Sequence, residues 1–589
     1  MINLNEYIDK CKNEVLIENN NSNNEQEHDI DVIKQNILND YEFTLPIEYN
    51  KHNKLTSIVK SDLELPQIIN NLYNFSNNNN NNLFQNKLST IYSTDKKFLK
   101  DNQKFTRKYN FIQNSMASFV DEYLEFKSEQ NFLSKYQYVQ FKRFNYLNSI
   151  TSFLQILALY NILSPLLSLF APLLGIIIPY FVLWFKGIHL GFGNYLKLVK
   201  QIIINNTIIN GLMNFHKNSL NTNVYTLVSI FFYGMSIYNN IISCYHFINN
   251  TEYLINFIDK YGNFINEGKD LIDKINNQTD KLKSFKNFNI VLEKYRINID
   301  KMQDIIYQLN QHKEKYLKYG QIGVVLKCNY EIFYNPDFHD TTMFLTYLNN
   351  FNICMDNINN AYKQQMISKC YFSKKTKTSI KGMYYLPHIK EQSITNDVSF
   401  KKNLIVTGPN ASGKTTLIKS SLINLFLSQS IGFGCYSYCK TPIYDYFHSY
   451  LNIPDTSNRD SLFQAEARRC KYILDFIEKH KSKKHFCIFD EIYSGTNPQD
   501  AVLCATLYLK GLHKHKSSVD YVLTTHYIDI CKEFNKDKHT QNKRMAIEKD
   551  KDNDDIKYLY KIEDGISMIN GGYNVLVKLG YSDDILNKE

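Results

Sequence analysis

Residues 404–416 read LIVTGPNASGKTT, and no other stretch narrows the fold so far. Leu404–Thr407 is a short apolar, β-rich run of the kind that forms a buried parallel strand. Gly408 to Thr415 fits the spacing G-x-x-x-x-G-K-[ST], and Leu417 to Leu427 carries apolar residues at helical intervals. A strand, a glycine-rich turn and a helix in that order cradle phosphate. Gly408 and Gly413 let the loop curl until backbone N–H groups converge on the anion, and the helix N-terminus adds its partial positive charge. Gly408, Pro409, Asn410, Ala411, Ser412, Gly413, Lys414, Thr415 and Thr416 are thus assigned to nucleotide binding. Lys414 would reach the β- and γ-phosphates of ATP, and the Thr415 hydroxyl would sit on Mg²⁺.

Such a loop works with a carboxylate for the metal and a group that positions water. Residues 485–491, HFCIFDE, supply an apolar strand ending in two acids. Asp490 would bind Mg²⁺ through water, and Glu491 would orient or deprotonate the attacking water. A further strand, Val519–Thr524, runs into Thr525-His526, where a histidine could contact the γ-phosphate. Taken singly, each is an ordinary strand end; downstream of the glycine-rich loop at α/β spacing, they form a set.

The rest of the chain is bounded by composition. With 589 residues and 43% hydrophobic content it is globular and long enough for several domains. A formal net charge of +10 permits contact with phosphate backbones or anionic lipid without demanding either. Eleven cysteines show no disulfide framework, Cys435 and Cys439 form the one close pair without completing a zinc site, and the polar N-terminus carries no secretory signal. These features predict an intracellular, cytosol-facing protein without a structural metal.

Residues 1–110 are polar, with Asn-rich runs at Asn19–Asn24 and Asn77–Asn82 that read as loops or disordered spacers, interrupted by helical pieces such as Ile30–Tyr41. A helical region, 111–249, follows. Within it Phe144 to Phe185 carries no charge, about twice the length of one bilayer-spanning helix. Ser164-Pro165 at its middle fits a transmembrane hairpin flanked by Lys142, Arg143 and Lys186, with a core helix pair buried in a large helical domain as the alternative. A second uncharged stretch, Val224–Ile248, is long enough for a third span, and a core helix is an equal reading because Asn239, Asn240 and His246 interrupt it. Residues 250–379 are charged and helically periodic, as in LINFIDKYGNFINEGKDLIDKINNQTDKLKSF, and predict long paired helices, with a later one at Thr342–Met366. From 380 to 589 short β-runs alternate with helices, an α/β signature.

GPNASGKTT, DSLFQAE, FDEIYSGTNPQDA and TTHY together resemble the ATPase domain of the MutS family, DNA mismatch repair proteins of the ABC-type ATPase class. GISMINGGYNVLVKLGYSDDIL resembles that family's C-terminal segment, and YYLPHI with ITNDVSF its strand ahead of the phosphate loop. The resemblance covers residues 380–589, and 250–370 is similar to the family's lever region more loosely. It implies a P-loop α/β domain of ABC type behind an all-α lever and core region, working as a head-to-tail dimer through the ATPase domains. It places Asn396 beside the adenine and makes Ser461 the signature residue that meets the partner's γ-phosphate. Phe463 and Glu466 would shape that loop, and Asp500 would lie in the loop that signals between sites. A serine ahead of helix 461–479 is also an ordinary N-cap, and the two roles are compatible.

The sequence also departs from the family. No Gly-x-Phe-x-Glu is present, and Tyr493-Ser494-Gly495-Thr496 stands where repair members have Gly-Arg-Gly-Thr. The Asn497-Pro498 that follows is closer to a divergent MutS-related branch whose members carry transmembrane segments ahead of the ATPase. The implied function is an ATP hydrolase that couples its dimer cycle to binding or remodelling DNA, with mismatch recognition left without a carrier residue. The alternative is a membrane-anchored ATPase of the same engine acting on another substrate. Lys374, Lys375, Lys377 and Lys479, Lys481, Lys483, Lys484 are candidate phosphate contacts, or simply solvated basic faces.

Overall fold

In the computed structural model a six-stranded sheet places the glycine-rich loop. Residues 40–73, 82–189, 191–205, 220–310, 321–374, 376–391, 394–451, 461–549 and 556–568 are described, with 32, 34, 36–38, 579 and 581 as isolated positions. Two compact units divide the chain. One is built from Ser115–Lys269 and Tyr295–Met343, the other from Gln35–Asn114, Asp270–Lys294 and Phe344–Glu589.

The strands, in chain order, are β1 (His52–Lys54), β2 (Ile91–Ser93), β3 (Ser368–Phe372), β4 (Ser379–Met383), β5 (Asn396–Ser399), β6 (Asn403–Thr407) and β7 (Phe433–Gly434). They continue with β8 (Tyr438–Thr441), β9 (Tyr446–Tyr450), β10 (His485–Asp490), β11 (Val519–Thr524), β12 (Thr540–Lys549) and β13 (Ile556–Asp564). All lie in the second unit, where the large sheet has the order β13-β12-β6-β11-β10-β9. Its pairings are parallel except β12 with β13. Parallel strands are covered on both faces, which is why β6 and β11 read as unbroken buried runs instead of alternating. The helix Lys414–Ser430 is buried around its circumference from Leu417 to Ser430, apart from Lys419. Leu462–Lys479 instead buries one stripe, Glu466, Cys470, Ile473 and Ile477, at alternating steps of four and three. Its apolar residues join a core with Phe489, Tyr508 and Tyr521.

A second sheet, β5-β4-β8-β3-β7, begins at Ser368, ahead of the β onset expected at 380. Residues 40–110 differ further from the irregular region expected. They form helices Ser57–Asp62, Leu65–Tyr73 and Lys96–Arg107 together with the β1–β2 pair. Leu65, Ile69 and Leu72, then Phe98, Leu99 and Phe105, recur at helical steps beneath a polar average, and all are buried. Polar side chains fasten this segment to the sheets. Tyr92 Oη donates to Asp445 O (2.7 Å), Gln103 Nε2 to Gly432 O (2.7 Å), and Ser449 Oγ to Asp62 Oδ2 (2.6 Å). The Asn runs expected at 19–24 and 77–82 lie outside the described residues except for Asn82, as does most of the C-terminal segment from 569.

Within the first unit, Ser164-Pro165 is not a hairpin turn. Pro165 sits inside the helix Thr151–Leu169. It leaves the Asn161 carbonyl without its usual N–H, and the Ser164 hydroxyl donates there instead (2.9 Å). The break falls at Phe170, and Pro172 occupies the first turn of Ala171–Phe185, where no N–H is needed. The helix Leu220–Thr279 runs past the second uncharged stretch into the charged region, and Lys286–Asn310, Ile322–Tyr334 and Pro336–Lys363 follow.

Candidate nucleotide site

The loop 408–413 joins β6 to the helix Lys414–Ser430 at the carboxyl ends of the parallel strands. Two of its glycines are required. A Cβ on Gly408 would lie 2.8 Å from Ser412 Oγ and 3.0 Å from Met545 Cβ, and Gly413 has φ of +92°. Ala411 also takes the left-handed conformation, at φ 62°.

Lys414 is buried, and its ammonium donates to Gly408 O (3.0 Å) and Pro409 O (3.2 Å). The same Nζ lies 3.1 Å from His526 Nε2 and 3.7 Å from Glu491 Oε1, while His526 Nε2 lies 2.7 Å from Glu491 Oε1. Thr415 Oγ1 donates to Asp490 Oδ2 (2.8 Å), and Thr524 Oγ1 donates to the other carboxylate oxygen. Lys414, Thr415, Asp490, Glu491 and His526, drawn from two strand ends and one helix, therefore form one connected cluster. Burial lowers the Lys414 ammonium below the ordinary lysine range, with Glu491 and Asp490 pulling the other way. The Glu491 carboxyl is held below the usual glutamate range, first by the hydrogen bond from His526, against burial, and then by the charges of His526 and Lys414. Glu491 also has a left-handed backbone, φ 50°.

A cavity of about 630 Å³ opens over the loop, with Asn410–Leu417, Glu491, Asn396, Tyr385 and Tyr560 in its wall. That volume suits a nucleoside triphosphate. Ser412 Oγ is buried with no hydrogen-bond partner, an orphan that a phosphate oxygen would satisfy. The donor set also fits Mg²⁺, which needs one or two protein oxygens beside phosphate and water. Thr415 and Asp490 would provide them, and the described residues contain no cluster of three metal-binding side chains to compete. Asn396 is spent on β13: Nδ2 donates to Tyr560 O (3.0 Å), and Oδ1 accepts from Ile562 N (2.7 Å). Tyr560 Cδ1 would lie 3.1 Å from a Cβ on Gly413. Tyr560 had no signal in the sequence, because it belongs to the site only through strand pairing and cavity shape; Thr524 and Tyr385 lie within TTHY and YYLPHI, which assigned them no role.

The remaining candidates form a second group. Ser461 caps Leu462–Lys479, accepting from Gln464 N (3.4 Å), while Gln464 Oε1 accepts from Ser461 N (3.3 Å). Glu466 is buried and receives Ser494 N and Oγ (both 3.1 Å) and Gly495 N (3.2 Å). The Phe463 ring lies 5.8 Å from that of Tyr493. Asp500 N donates to Asn497 Oδ1 (3.0 Å), closing the N-cap of Pro498–His513. Of the basic clusters, Lys377 pairs with the buried Asp520 (2.5 Å) and Lys483 with Asp445 (3.4 Å), and Lys375 lies outside the described residues.

A largely parallel sheet with a glycine-rich strand-to-helix turn at its carboxyl edge defines the class of α/β domains that bind ligand in the crevice beyond those strand ends. Residues 404–588 match the MutS domain V family, and over that domain the chain is similar to MutS-family proteins. It is 24% identical over 203 residues to the DNA mismatch repair protein MutS of Streptococcus uberis, a match covering 34% of this chain and 23% of the relative. It is 27% identical over 210 residues to the DNA mismatch repair protein MSH3 of Meyerozyma guilliermondii, covering 33% and 21%. The Endonuclease MutS2 of Streptococcus uberis matches at 23% over 199 residues, covering 33% and 24%. The chain spans about a quarter of the length of these curated relatives.

Proposed function

We propose that the chain is an ATP hydrolase of the MutS type, with residues 380–589 as its ATPase domain, 250–379 as its lever and 1–249 ahead of them. The observation that carries this reading is the linked set of Lys414, Thr415, Asp490, Glu491 and His526 beneath a triphosphate-sized cavity. Gly408 to Thr416 hold the phosphates, Thr415 and Asp490 hold Mg²⁺, and Glu491 takes or orients the water. When bound, Mg²⁺ supplies charge stabilisation to the phosphates. Asn396, tied to Tyr560 and Ile562, fixes the wall beside the base. With nucleotide present, Lys414 and His526 turn toward phosphate. Glu491 then loses the two partners that hold its pKa down and becomes a better base.

Ser461 acts in trans on a second copy, Phe463 and Glu466 shape its loop, and Asp500 lies at the interface. Glu466 connects this group to the strand carrying the acids, because it holds the 494–495 turn just beyond Glu491. The dimer cycle is coupled to DNA, a partner carried over from the printed names of the mismatch repair relatives. Purified full chain should hydrolyse ATP only with Mg²⁺, self-associate when given ATP, and bind duplex DNA in a salt-dependent manner. No turnover and no ATP-driven association would remove the enzyme reading; absent DNA binding at low salt would remove the partner alone.

A further inference from the structure

The uncharged stretches of the first unit face outward. The most apolar windows of Thr151–Leu169 and Asn223–Thr279 are 11% and 0% buried, the opposite of a core helix. Phe185 is 80% exposed, Phe231 66% and Phe232 63%. Four successive residues, Ile230 to Tyr233, are all exposed large apolar side chains. At about 100° per residue they ring the helix, so the surface is not the single stripe that a protein partner or a second copy would cover. An unlike apolar medium on all sides fits better, and a bilayer interior is such a medium.

Two contacts fix the path of the chain. Tyr233 Oη donates to Ser168 O (2.9 Å) and Leu169 O (3.0 Å), and Cys244 Sγ donates to Ile162 O (3.5 Å). Numbers rise on one helix as they fall on the other, so the pair is antiparallel. The return arm of Thr151–Leu169 is therefore the second uncharged stretch, not Ala171–Phe185. Exposed Tyr225 and Tyr245 lie about 30 Å apart along the helix at 1.5 Å per residue, the thickness of a hydrocarbon core with aromatic rims. Three hydroxyls between the ends are satisfied internally: Ser164, Ser168 and Ser229 each donate to a carbonyl of their own helix. Asn239 and Asn240 also fall in the span, a modest cost for paired helices that offer each other polar partners.

We propose that Leu159–Phe185 and Val224–Tyr245 are the two arms of a hairpin that enters a lipid bilayer and returns. The residues before Thr151 and after Asn250 then lie on the same side, with the domain of residues 404–588 among them. This stands apart from the ATP chemistry.

The test uses full chain released from detergent into sealed vesicles of neutral phosphatidylcholine. Expected results are flotation with the vesicles in high salt, resistance to alkaline carbonate, and removal of both flanks by external protease while the arms stay protected. A Phe231→Asp, Phe232→Asp variant should float about ten-fold less, with its thermal melt unchanged because both side chains contact solvent in the isolated chain. Four results would overturn the proposal: flotation that needs anionic lipid and reverses in salt, recovery of the chain as a soluble oligomer, protection of one flank, or undiminished flotation of a variant whose melt is unchanged. ATP turnover measured on the same vesicles reports separately on the enzyme reading.

Discussion

Replacing Glu491 with Gln keeps the shape of the site and removes one charge. Its carboxylate lies 3.7 Å from the Lys414 ammonium, which corresponds to an attraction of about 4 kcal/mol at an effective dielectric of 20. Glu491 is 39% exposed, so solvent screening reduces this to about 1–2 kcal/mol. That attraction stabilises the nucleotide-free site and competes with phosphate for Lys414. Its removal should therefore tighten ATP binding by about 5- to 30-fold, while loss of the base slows the chemical step by about 10²- to 10⁴-fold. Equilibrium binding of a fluorescent ATP analogue and single-turnover hydrolysis by rapid quench measure the two effects separately. Turnover within two-fold of wild type, or weaker binding, would refute the reasoning: the first would remove Glu491 as base, the second the competition for Lys414.

Three further outcomes are expected. His448 is buried against His485 with its pKa pushed down to about 3, whereas an unfolded histidine titrates near 6.5. The unfolded chain binds the extra proton below pH 6.5, so stability is full above that value and falls by about 2 kcal/mol on going to pH 5; His448→Phe should flatten that slope in denaturant midpoints taken across the range. Glu466→Ala strands the N–H groups of Ser494 and Gly495 and should cost about 3 kcal/mol, read as a lowered melting temperature of the domain of residues 404–588. Gly495→Ala would put a Cβ 2.6 Å from Leu462 Cγ, next to Ser461; about 1–3 kcal/mol of repacking is expected, with ATP binding kept and the protein-concentration dependence of turnover diminished.

The strand ends of the candidate site were legible because each pairs a chemical residue with an apolar β-run: FDE at the end of β10, TTH at the end of β11, and the glycine loop after β6. Local pattern reaches that far. It misplaced the turn in the uncharged stretch, since Ser164-Pro165 looks like punctuation until the serine is seen to satisfy the carbonyl that proline leaves free. It missed order in residues 40–110, where average polarity hides buried side chains at helical spacing. It could not show that Lys377 and Lys483 are spent on carboxylates distant in sequence. Pairings across such separations have no signature in a single chain.

The Lys414 ammonium is already clasped by the carbonyls of Gly408 and Pro409. On the proposed function, a triphosphate arriving there would not fill a gap; it would swap with a tenant. Its grip is the difference between two sets of bonds to one nitrogen, so entry waits on the loop letting go, and the rate of capture should saturate as nucleotide is raised.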